Sequence, residues 1–282
     1  MAEILLRKGA TKIDKIPTDV LESLNKGEIE TVNLVEWLAI DHKILIKNIF
    51  ENTDYGNCIQ PIIKLLEKNS KNDKITVLQA TFLIGRYFYW RLLEATEETT
   101  NKDITFLSSH KSDTVRCYAC CLVGYDDMFI ETRLEKIKQL AADPHFGVRE
   151  IAWIALRPAI SKNSEELEKT INILSVWAQN GNENIRRFAS EITRPRGVWC
   201  KHIDTLKENP ALALPILNFL YADSSKYVRD SVGNWLNDAS KTQPDFVKNL
   251  CEEWKEKSKK EDENTQKATA YIIKKALRTI NK

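Results

Sequence analysis

Apolar residues recur at helical spacing in four segments of the chain. Each segment begins with polar residues, continues with a β-branched residue and an arginine, and is followed by a stretch with helical periodicity. The β-branched residues are Val115, Val148, Ile185 and Val228, which lie 33, 37 and 43 residues apart. If each of them is counted as position zero, then positions +3, +4 and +7 share one face of a helix.

That face is apolar in all four segments, with Ser231 as the one interruption. The residues at +3, +4 and +7 are Tyr118, Ala119 and Leu122, then Ile151, Ala152 and Ala155, then Phe188, Ala189 and Ile192, and finally Ser231, Val232 and Trp235. A stripe that returns at this period, with two helices in each unit, predicts an all-α fold, an α-solenoid of HEAT-like helical repeats. Such a solenoid presents a concave face, which we expect to be the binding surface.

Each helix of this kind needs a partner across its buried stripe. Apolar spacing predicts partner helices at 134–140, 167–178, 212–220 and 246–254. In the N-terminal third it predicts helices at 33–50 and 75–95, and a polar loop at 97–100. We therefore predict a single domain over residues 1–282. It comprises an N-terminal helical cap with early repeats at 1–100, the repeats that carry the candidate site at 101–250, and a C-terminal capping helix at 251–282.

Composition excludes several other classes of protein. The chain has 9 Gly and 8 Pro among 282 residues, too few for a fold of many short strands. Its 43% hydrophobic and 29% charged residues exclude disorder as the main state. There is no apolar run of 18 residues and no signal segment at the N-terminus, which indicates a cytoplasmic protein, associated with the nucleoid if the source is bacterial.

Cysteine and histidine usage indicates neither disulfides nor a metal. Cys117, Cys120 and Cys121 lie in an apolar helical stretch, and the four histidines are scattered singly along the chain. A zinc site needs further ligands at suitable spacing. We interpret these cysteines as buried thiols and expect no metal and no cofactor.

The formal net charge is +2, so an anionic partner requires positive charge gathered on one face. Positions +2, +5, +6 and +9 lie opposite the stripe, where we expect the concave binding surface. The residues of interest there and in the loop after the third repeat are Glu150, Trp153, Arg157, Arg187, Glu191, Arg194, Arg196, Trp199, Lys201, Asn234 and Asp238. Between residues 186 and 201 there are five positive charges and one negative charge.

This set suits DNA that carries an alkylated base. Arginines bind phosphates, and tryptophan faces attract cations, such as a purine alkylated at N3 or N7. A carboxylate can stabilise an oxocarbenium-like sugar and orient water, as in glycoside hydrolysis. Glu191 and Glu150 are the candidate catalytic acids, and the other nine residues are candidates for lesion or DNA contact.

Structural roles compete with each of these functional roles. Arg116, Arg149 and Arg229 at position +1 fit caps on neighbouring helices or ion pairs between repeats. Trp37, Trp90 and Trp235 are predicted to lie in the core. Trp153 and Trp199 fit either function or packing, Glu191 fits a helical ion pair with Arg187, and Asp238 fits a cap or a bridge between repeats.

The third repeat resembles the "RRxASExxRPRxPW" motif of HEAT-like DNA alkylation-repair glycosylases of the AlkC/AlkD type. In this chain it reads Ile185-Arg186-Arg187-Phe188-Ala189-Ser190-Glu191-Ile192-Thr193-Arg194-Pro195-Arg196-Gly197-Val198-Trp199. The stretch from Val228 to Asp238 is similar to the family's "VRxSVxNxLND" segment, and that from Ile29 to Ala39 to the AlkC-like branch. The resemblance runs from about Ile16 to Leu250.

The resemblance implies metal-free removal of cationic N3- or N7-alkylpurines from DNA on an open concave surface. It matches Glu191 and Trp199 to the family's acid and aromatic, and Arg194 and Arg196 to its basic loop. Val198 stands where the family has Pro. Trp153 stands four residues before Arg157-Pro158, where the family has Glu, and Glu150 is placed to take that role. The appended immunoglobulin-like domain of some relatives is expected to be absent.

Three hypotheses follow. The first is a monofunctional alkylpurine DNA glycosylase that acts on double-stranded DNA as a monomer, away from membranes. The second is a non-catalytic DNA-binding protein of the same fold that recognises branched or distorted DNA, which the presence of Trp153 in place of the acid favours. The third is a protein-interaction scaffold, which the near-neutral net charge favours.

Overall fold

The computed structural model describes residues 4, 6–72, 74–93, 95–125, 128–161 and 163–282. Within these residues the chain forms sixteen α-helices, so the predicted all-α fold is confirmed. They are α1 (Thr18–Asn25), α2 (Leu34–Trp37), α3 (His42–Phe50), α4 (Ile59–Lys68), α5 (Val77–Leu92), α6 (Glu97–Ser108), α7 (Asp113–Tyr125), α8 (Ile130–Ala141), α9 (Phe146–Ile160), α10 (Ser164–Trp177), α11 (Glu183–Ile192), α12 (Asp204–Glu208), α13 (Leu214–Leu220), α14 (Lys226–Ala239), α15 (Pro244–Ser258) and α16 (Glu263–Ala276).

The helices group into two compact units. The first covers 1–127 and 144–155, and the second covers 128–143 and 156–282. In the first unit, α7 packs along α5 and against α6. In the second, α11, α14 and α16 form one row of neighbouring helices, and α8, α10 and α13 form another. These paired rows are the stacked hairpins of a HEAT-like repeat protein. The prediction of a single domain stays a prediction.

The predicted apolar stripe is the core. The four β-branched residues at position zero are buried, and so are the residues at +3, +4 and +7 in every repeat. Ser231, the one polar residue of the stripe, is buried as well. Its hydroxyl lies 2.5 Å from that of Ser190 on the neighbouring helix, and this hydrogen bond satisfies a polar group that would otherwise destabilise the core.

The arginine at position +1 fixes the turn that leads into each helix. Arg116, Arg149, Arg186 and Arg229 each donate to a backbone carbonyl five residues earlier, and three of them donate also to the carbonyl six residues earlier. The donor–acceptor distances run from 2.7 to 3.1 Å. Arg186 also forms an ion pair with Asp223 of the next repeat, at 2.6 Å. The structural role expected for Arg116, Arg149 and Arg229 agrees with these carbonyl bonds, and Arg186 makes the same contacts.

The face opposite the stripe is not an open surface, and here the sequence prediction was wrong. Position +5 is buried in every repeat, including Trp153 and Ser190. The cause is close side-by-side packing between helices of successive repeats. A Cβ added at Gly85 would lie 2.4 Å from Cβ of Cys121, and one added at Gly233 would lie 2.7 Å from Cβ of Lys275. These helices therefore have neighbours on two sides.

Three further predictions need correction. The segment 33–50 forms two helices, because the Asp41 side chain accepts from two backbone amides and starts α3 anew. The predicted loop at 97–100 is the first turn of α6, which the Thr96 side chain caps. Trp90 is 45% exposed, with the Arg86 guanidinium 4.7 Å from its ring centroid, whereas Trp37 and Trp235 are buried as predicted.

Cys117, Cys120 and Cys121 are buried free thiols. In the described ranges, no three side chains of His, Cys, Asp or Glu are grouped so as to hold a metal ion. Nor does any helix there have the length and apolar character needed to cross a membrane.

A buried histidine makes the first unit sensitive to acid. Nδ1 of His42 lies 2.6 Å from the Tyr118 hydroxyl, and burial lowers the pKa of His42 from 6.5 to about 4, against an opposing effect of Asp41. As the pH falls, His42 is protonated in the unfolded chain before it is protonated in the folded chain. The free energy of unfolding therefore decreases between about pH 6.5 and pH 4. We expect His42 to contribute about 2 kcal/mol to the loss between pH 7 and pH 5.

The measurement is urea denaturation of the wild type and His42→Gln at both pH values. The variant is expected to lose less stability than the wild type over this interval. The matched control is His202→Gln, at an exposed histidine, which should lose as much as the wild type. An equal loss in His42→Gln and the wild type would contradict the assignment.

Candidate functional site

The segment between α11 and α12, residues 193–203, carries most of the basic motif; we call it the Trp199 loop. Arg196 is half-buried and Lys201 is exposed. The backbone amide of Ile203 donates to the carbonyl of Pro195 at 3.1 Å and closes the base of the loop. Residues 196–202 therefore form a loop whose two ends are joined by this hydrogen bond.

Trp199 is the exposed aromatic of this loop. Its side chain is 53% exposed, and its φ is +60°, in the left-handed region that favours glycine. A tryptophan held in this region costs on the order of 1 kcal/mol or more, so the surrounding contacts must impose the conformation. Backbone strain of this kind is concentrated at functional sites.

Arg157 holds the loop from below. Its guanidinium donates to the carbonyl of Lys201 at 3.0 Å, to that of Ile192 at 2.8 Å and to that of Arg194. Arg157 is 1% exposed, and burial lowers the pKa of its guanidinium. It is thus a support for the loop and not a cation on the surface, which differs from the DNA contact expected from the sequence.

The loop packs directly on this guanidinium at Gly197. A Cβ added there would lie 3.0 Å from Cζ of Arg157 and 2.5 Å from Sγ of Cys200. The glycine is therefore required for close approach. This contact and the three carbonyl bonds enclose Arg157 within the base of the Trp199 loop.

Glu191 lies at the centre of a buried ion-pair network in the second unit. Its carboxylate is 3.4 Å from Nη2 of Arg187 and 3.1 Å from Nη1 of Arg194, and the residue is 3% exposed. Burial by itself raises the pKa of Glu191, but Arg187 and Arg194 outweigh it, and the pKa lies below its ordinary value. The carboxylate is therefore ionised and flanked by two cations.

The network continues to Asp238. Arg194 donates to one oxygen of this carboxylate through Nε at 3.0 Å and Nη2 at 2.7 Å, and Lys241 donates to the other at 3.2 Å. Arg187 lies 4.2 Å from the ring centroid of Tyr227, and Asn234 is half-buried on the same helix as Asp238. Lys241 and Tyr227 were missed by sequence reasoning, although Lys241 follows Asp238 at the i, i+3 spacing of a helical ion pair.

Glu150 and Trp153 lie in the first unit. The indole Nε1 of Trp153 donates to Oε2 of Glu150 at 3.0 Å. Trp153 is buried, whereas Glu150 is half-buried. Glu150 thus differs from Glu191 in solvent access.

The structure brings together the predicted residues of the second unit in two groups. Glu191, Arg187, Arg194 and Asp238 share the ion-pair network, while Arg196, Trp199 and Lys201 share the loop that Arg157 supports. The catalytic and DNA-contact roles of all these residues stay predictions.

Comparison with known proteins finds similarity over part of the chain. Residues 165–280 match the family model described as DNA alkylation repair enzyme. Over 148 residues, 52% of the chain, the sequence is 40% identical to the protein YhaZ of Bacillus subtilis (strain 168), and the match covers 38% of YhaZ.

Two solved structures have a similar fold. One is the Pseudomonas fluorescens alkylpurine DNA glycosylase AlkC bound to DNA containing an abasic site analog, with a TM-score of 0.66 and 22% identity. The match covers 97% of this chain and 66% of AlkC, and at this identity it shows the fold. The other is AlkD2 from Streptococcus mutans, with a TM-score of 0.55 and 25% identity over 78% of this chain and 97% of AlkD2.

The family match includes Glu191, the Trp199 loop and Asp238, which are the residues that carried the sequence resemblance. The fold match extends over nearly the whole chain. Residues 165–280 are therefore similar to DNA alkylation repair enzymes, and the chain shares its helical-repeat fold with AlkC.

Proposed function

We propose that this protein is a monofunctional DNA glycosylase, a cytoplasmic monomer that releases cationic N3- or N7-alkylpurines from duplex DNA. The observation that carries the proposal is the exposed Trp199, held at a positive φ on a loop with Arg196 and Lys201. An exposed indole attracts the positive ring of an alkylated purine, and the neighbouring cations suit the DNA backbone. The match of residues 165–280 to the family model and the fold shared with AlkC support the same activity.

The alkylated purine is already a good leaving group, so the protein does not need to protonate it. The bond between C1′ and the purine nitrogen breaks, and its electron pair neutralises the positive charge of the alkylated ring. The sugar is left as an oxocarbenium ion. Water adds to C1′ and releases a proton to solvent, which completes the hydrolysis. The protein contributes a negative charge near the sugar and a fixed position for the DNA.

Of the two candidate acids, Glu150 fits the catalytic role better. Glu191 is buried between Arg187 and Arg194, so its charge is neutralised before any sugar cation forms. Glu150 is half-buried and is oriented by the indole of Trp153. We assign Glu150 as the carboxylate that stabilises the sugar cation, and Glu191 as a residue that holds α11 and Arg194 in place.

A non-catalytic DNA-binding protein of the same fold is the second candidate. The neutralisation of Glu191 by its two arginines favours it, since the acid of the third-repeat motif is then unable to act on the sugar. The surface that contacts DNA would be the same. The two candidates therefore differ in base release and agree in DNA binding.

The first test is release of N7-methylguanine from duplex DNA. We expect the wild type to release the base and Glu150→Gln to release it about 10²–10³-fold more slowly, the typical loss when one electrostatic group of a transition state is removed. The amide still accepts the hydrogen bond from Trp153, so duplex affinity should stay within about twofold. Glu252→Gln, at an exposed ion pair on α15, is the matched control.

Full release by Glu150→Gln would reject Glu150 as the acid. Salt-dependent duplex binding by the wild type, without release of any alkylated base, would establish the non-catalytic alternative in place of the glycosylase.

The second test concerns the cations of the Trp199 loop. Each phosphate contact contributes about 0.9 to the slope of log K against log salt concentration. The double variant Arg196→Gln with Lys201→Gln is expected to reduce this slope by about 2 in fluorescence-anisotropy titrations with undamaged duplex. Lys248→Gln, an exposed cation on α15, should leave the slope unchanged. An unchanged slope in the loop variant would place the DNA backbone elsewhere.

The third test separates a structural role of Glu191 from a catalytic one. Glu191→Gln leaves the half-buried Arg187 and Arg194 with less compensating charge, and we expect a loss of about 3 kcal/mol in the free energy of unfolding in urea. Glu252→Gln breaks an exposed pair and should cost less than about 1 kcal/mol. A Glu191→Gln variant with wild-type stability and no base release would instead make Glu191 the catalytic acid.

A further inference from the structure

One buried side chain, that of Arg157, contacts both arms of the Trp199 loop. Residues 193–203 form neither helix nor strand, and Arg157 binds both arms of the loop. It donates to the carbonyls of Ile192 and Arg194 on the side where α11 ends, and to that of Lys201 on the returning side. A guanidinium has donors in a rigid planar arrangement, so one residue fixes three carbonyls at once.

Connecting two helices does not require this arrangement. Burying a cation is costly, and Arg157 is 1% exposed and donates to the carbonyls of Ile192, Arg194 and Lys201. The negative end of the α11 dipole compensates part of that cost, because Ile192 is the last residue of the helix. An apolar residue of similar size would pack at this position with less desolvation but would leave the loop carbonyls without donors.

The same loop holds an exposed tryptophan in a strained backbone conformation. Trp199 at φ +60° persists because its surroundings impose this geometry. Two residues earlier, Gly197 leaves room for the chain to rest on Cζ of Arg157. The hydrogen bond from Arg157 to Lys201, the close approach at Gly197 and the strained backbone of Trp199 all lie within two residues of the exposed ring.

We propose that Arg157 is a positioning residue, which fixes the Trp199 loop in the conformation in which Trp199 engages DNA. The inference rests on the proposed function, in which Trp199 contacts the damaged nucleotide. A loop that is ordered before binding avoids the entropic cost of ordering on the DNA, and this raises affinity without a new contact. Arg157 therefore acts on DNA through Trp199.

The test is a double-mutant cycle on duplex binding with Arg157→Lys and Trp199→Ala. Lysine keeps the charge but presents a single ammonium, which does not reach three carbonyls in a plane. Trp199→Ala is expected to weaken duplex binding about tenfold, in the range of one stacked aromatic. Arg157→Lys should weaken it by a similar factor, and the double variant should be no weaker than Trp199→Ala alone.

A second readout reports the loop directly. In the full chain labelled with 5-fluorotryptophan, the Trp199 resonance is assigned by its loss in Trp199→Phe. We expect Arg157→Lys to shift or broaden this resonance and to leave that of Trp254, which is buried on α15, unchanged. A general loss of stability would not be confined to one resonance. If Arg157→Lys fails to fold, the Gly197→Ala variant is used in its place in both experiments. The added methyl group displaces the loop from the Arg157 guanidinium.

The outcomes separate this inference from the proposed function. If the losses of duplex affinity in Arg157→Lys and Trp199→Ala multiply in the double variant, the positioning role is wrong. It is also wrong if the Trp199 resonance is unchanged in Arg157→Lys or Gly197→Ala. A Trp199→Ala variant with wild-type duplex binding and base release would refute the proposed contact of Trp199 with DNA. Arg157 would then have no role in DNA binding through Trp199, even if the Trp199 resonance shifts in Arg157→Lys.

Discussion

A guanidinium that donates to backbone carbonyls is the interaction on which this structure depends. Arg116, Arg149, Arg186 and Arg229 use it to fix the turn before each repeat helix. Charge-assisted hydrogen bonds of this type are stronger than neutral ones, and the carbonyls of a tight turn have few other donors available. Arg157 applies the same interaction to a longer loop.

The apolar stripe could be predicted from the sequence because it depends on helical spacing alone. Val115 and its counterparts in later repeats define a register, and every stripe position in that register is buried. The opposite face could not be predicted in this way. Whether Trp153 and Ser190 meet solvent or another helix depends on packing between repeats, which the periodicity of one helix does not encode.

The N-terminal errors have local causes. Asp41 and Thr96 are helix caps whose side chains accept from backbone amides, and a polar residue that caps a helix resembles one in a loop when composition alone is considered. Trp90 lies near the end of α5, where its ring stacks with Arg86 and stays exposed. A stacked cation lets a large aromatic remain at the surface, and burial scales for tryptophan do not include that neighbour.

The candidate site shows how folding redistributes charge. Between 186 and 201 the sequence counts five cations against one anion, but Arg186 is paired with Asp223 and Arg194 with both Glu191 and Asp238. Asp223 and Asp238, which are distant in sequence, neutralise Arg186 and Arg194. Arg196 and Lys201 are the cations of this stretch that suit phosphates. The same pairing argues against Glu191 as a catalytic group. A carboxylate whose charge is already compensated by two arginines stabilises a developing sugar cation only weakly. The carboxylate of Glu150 accepts a hydrogen bond from the indole of Trp153 and is half-buried.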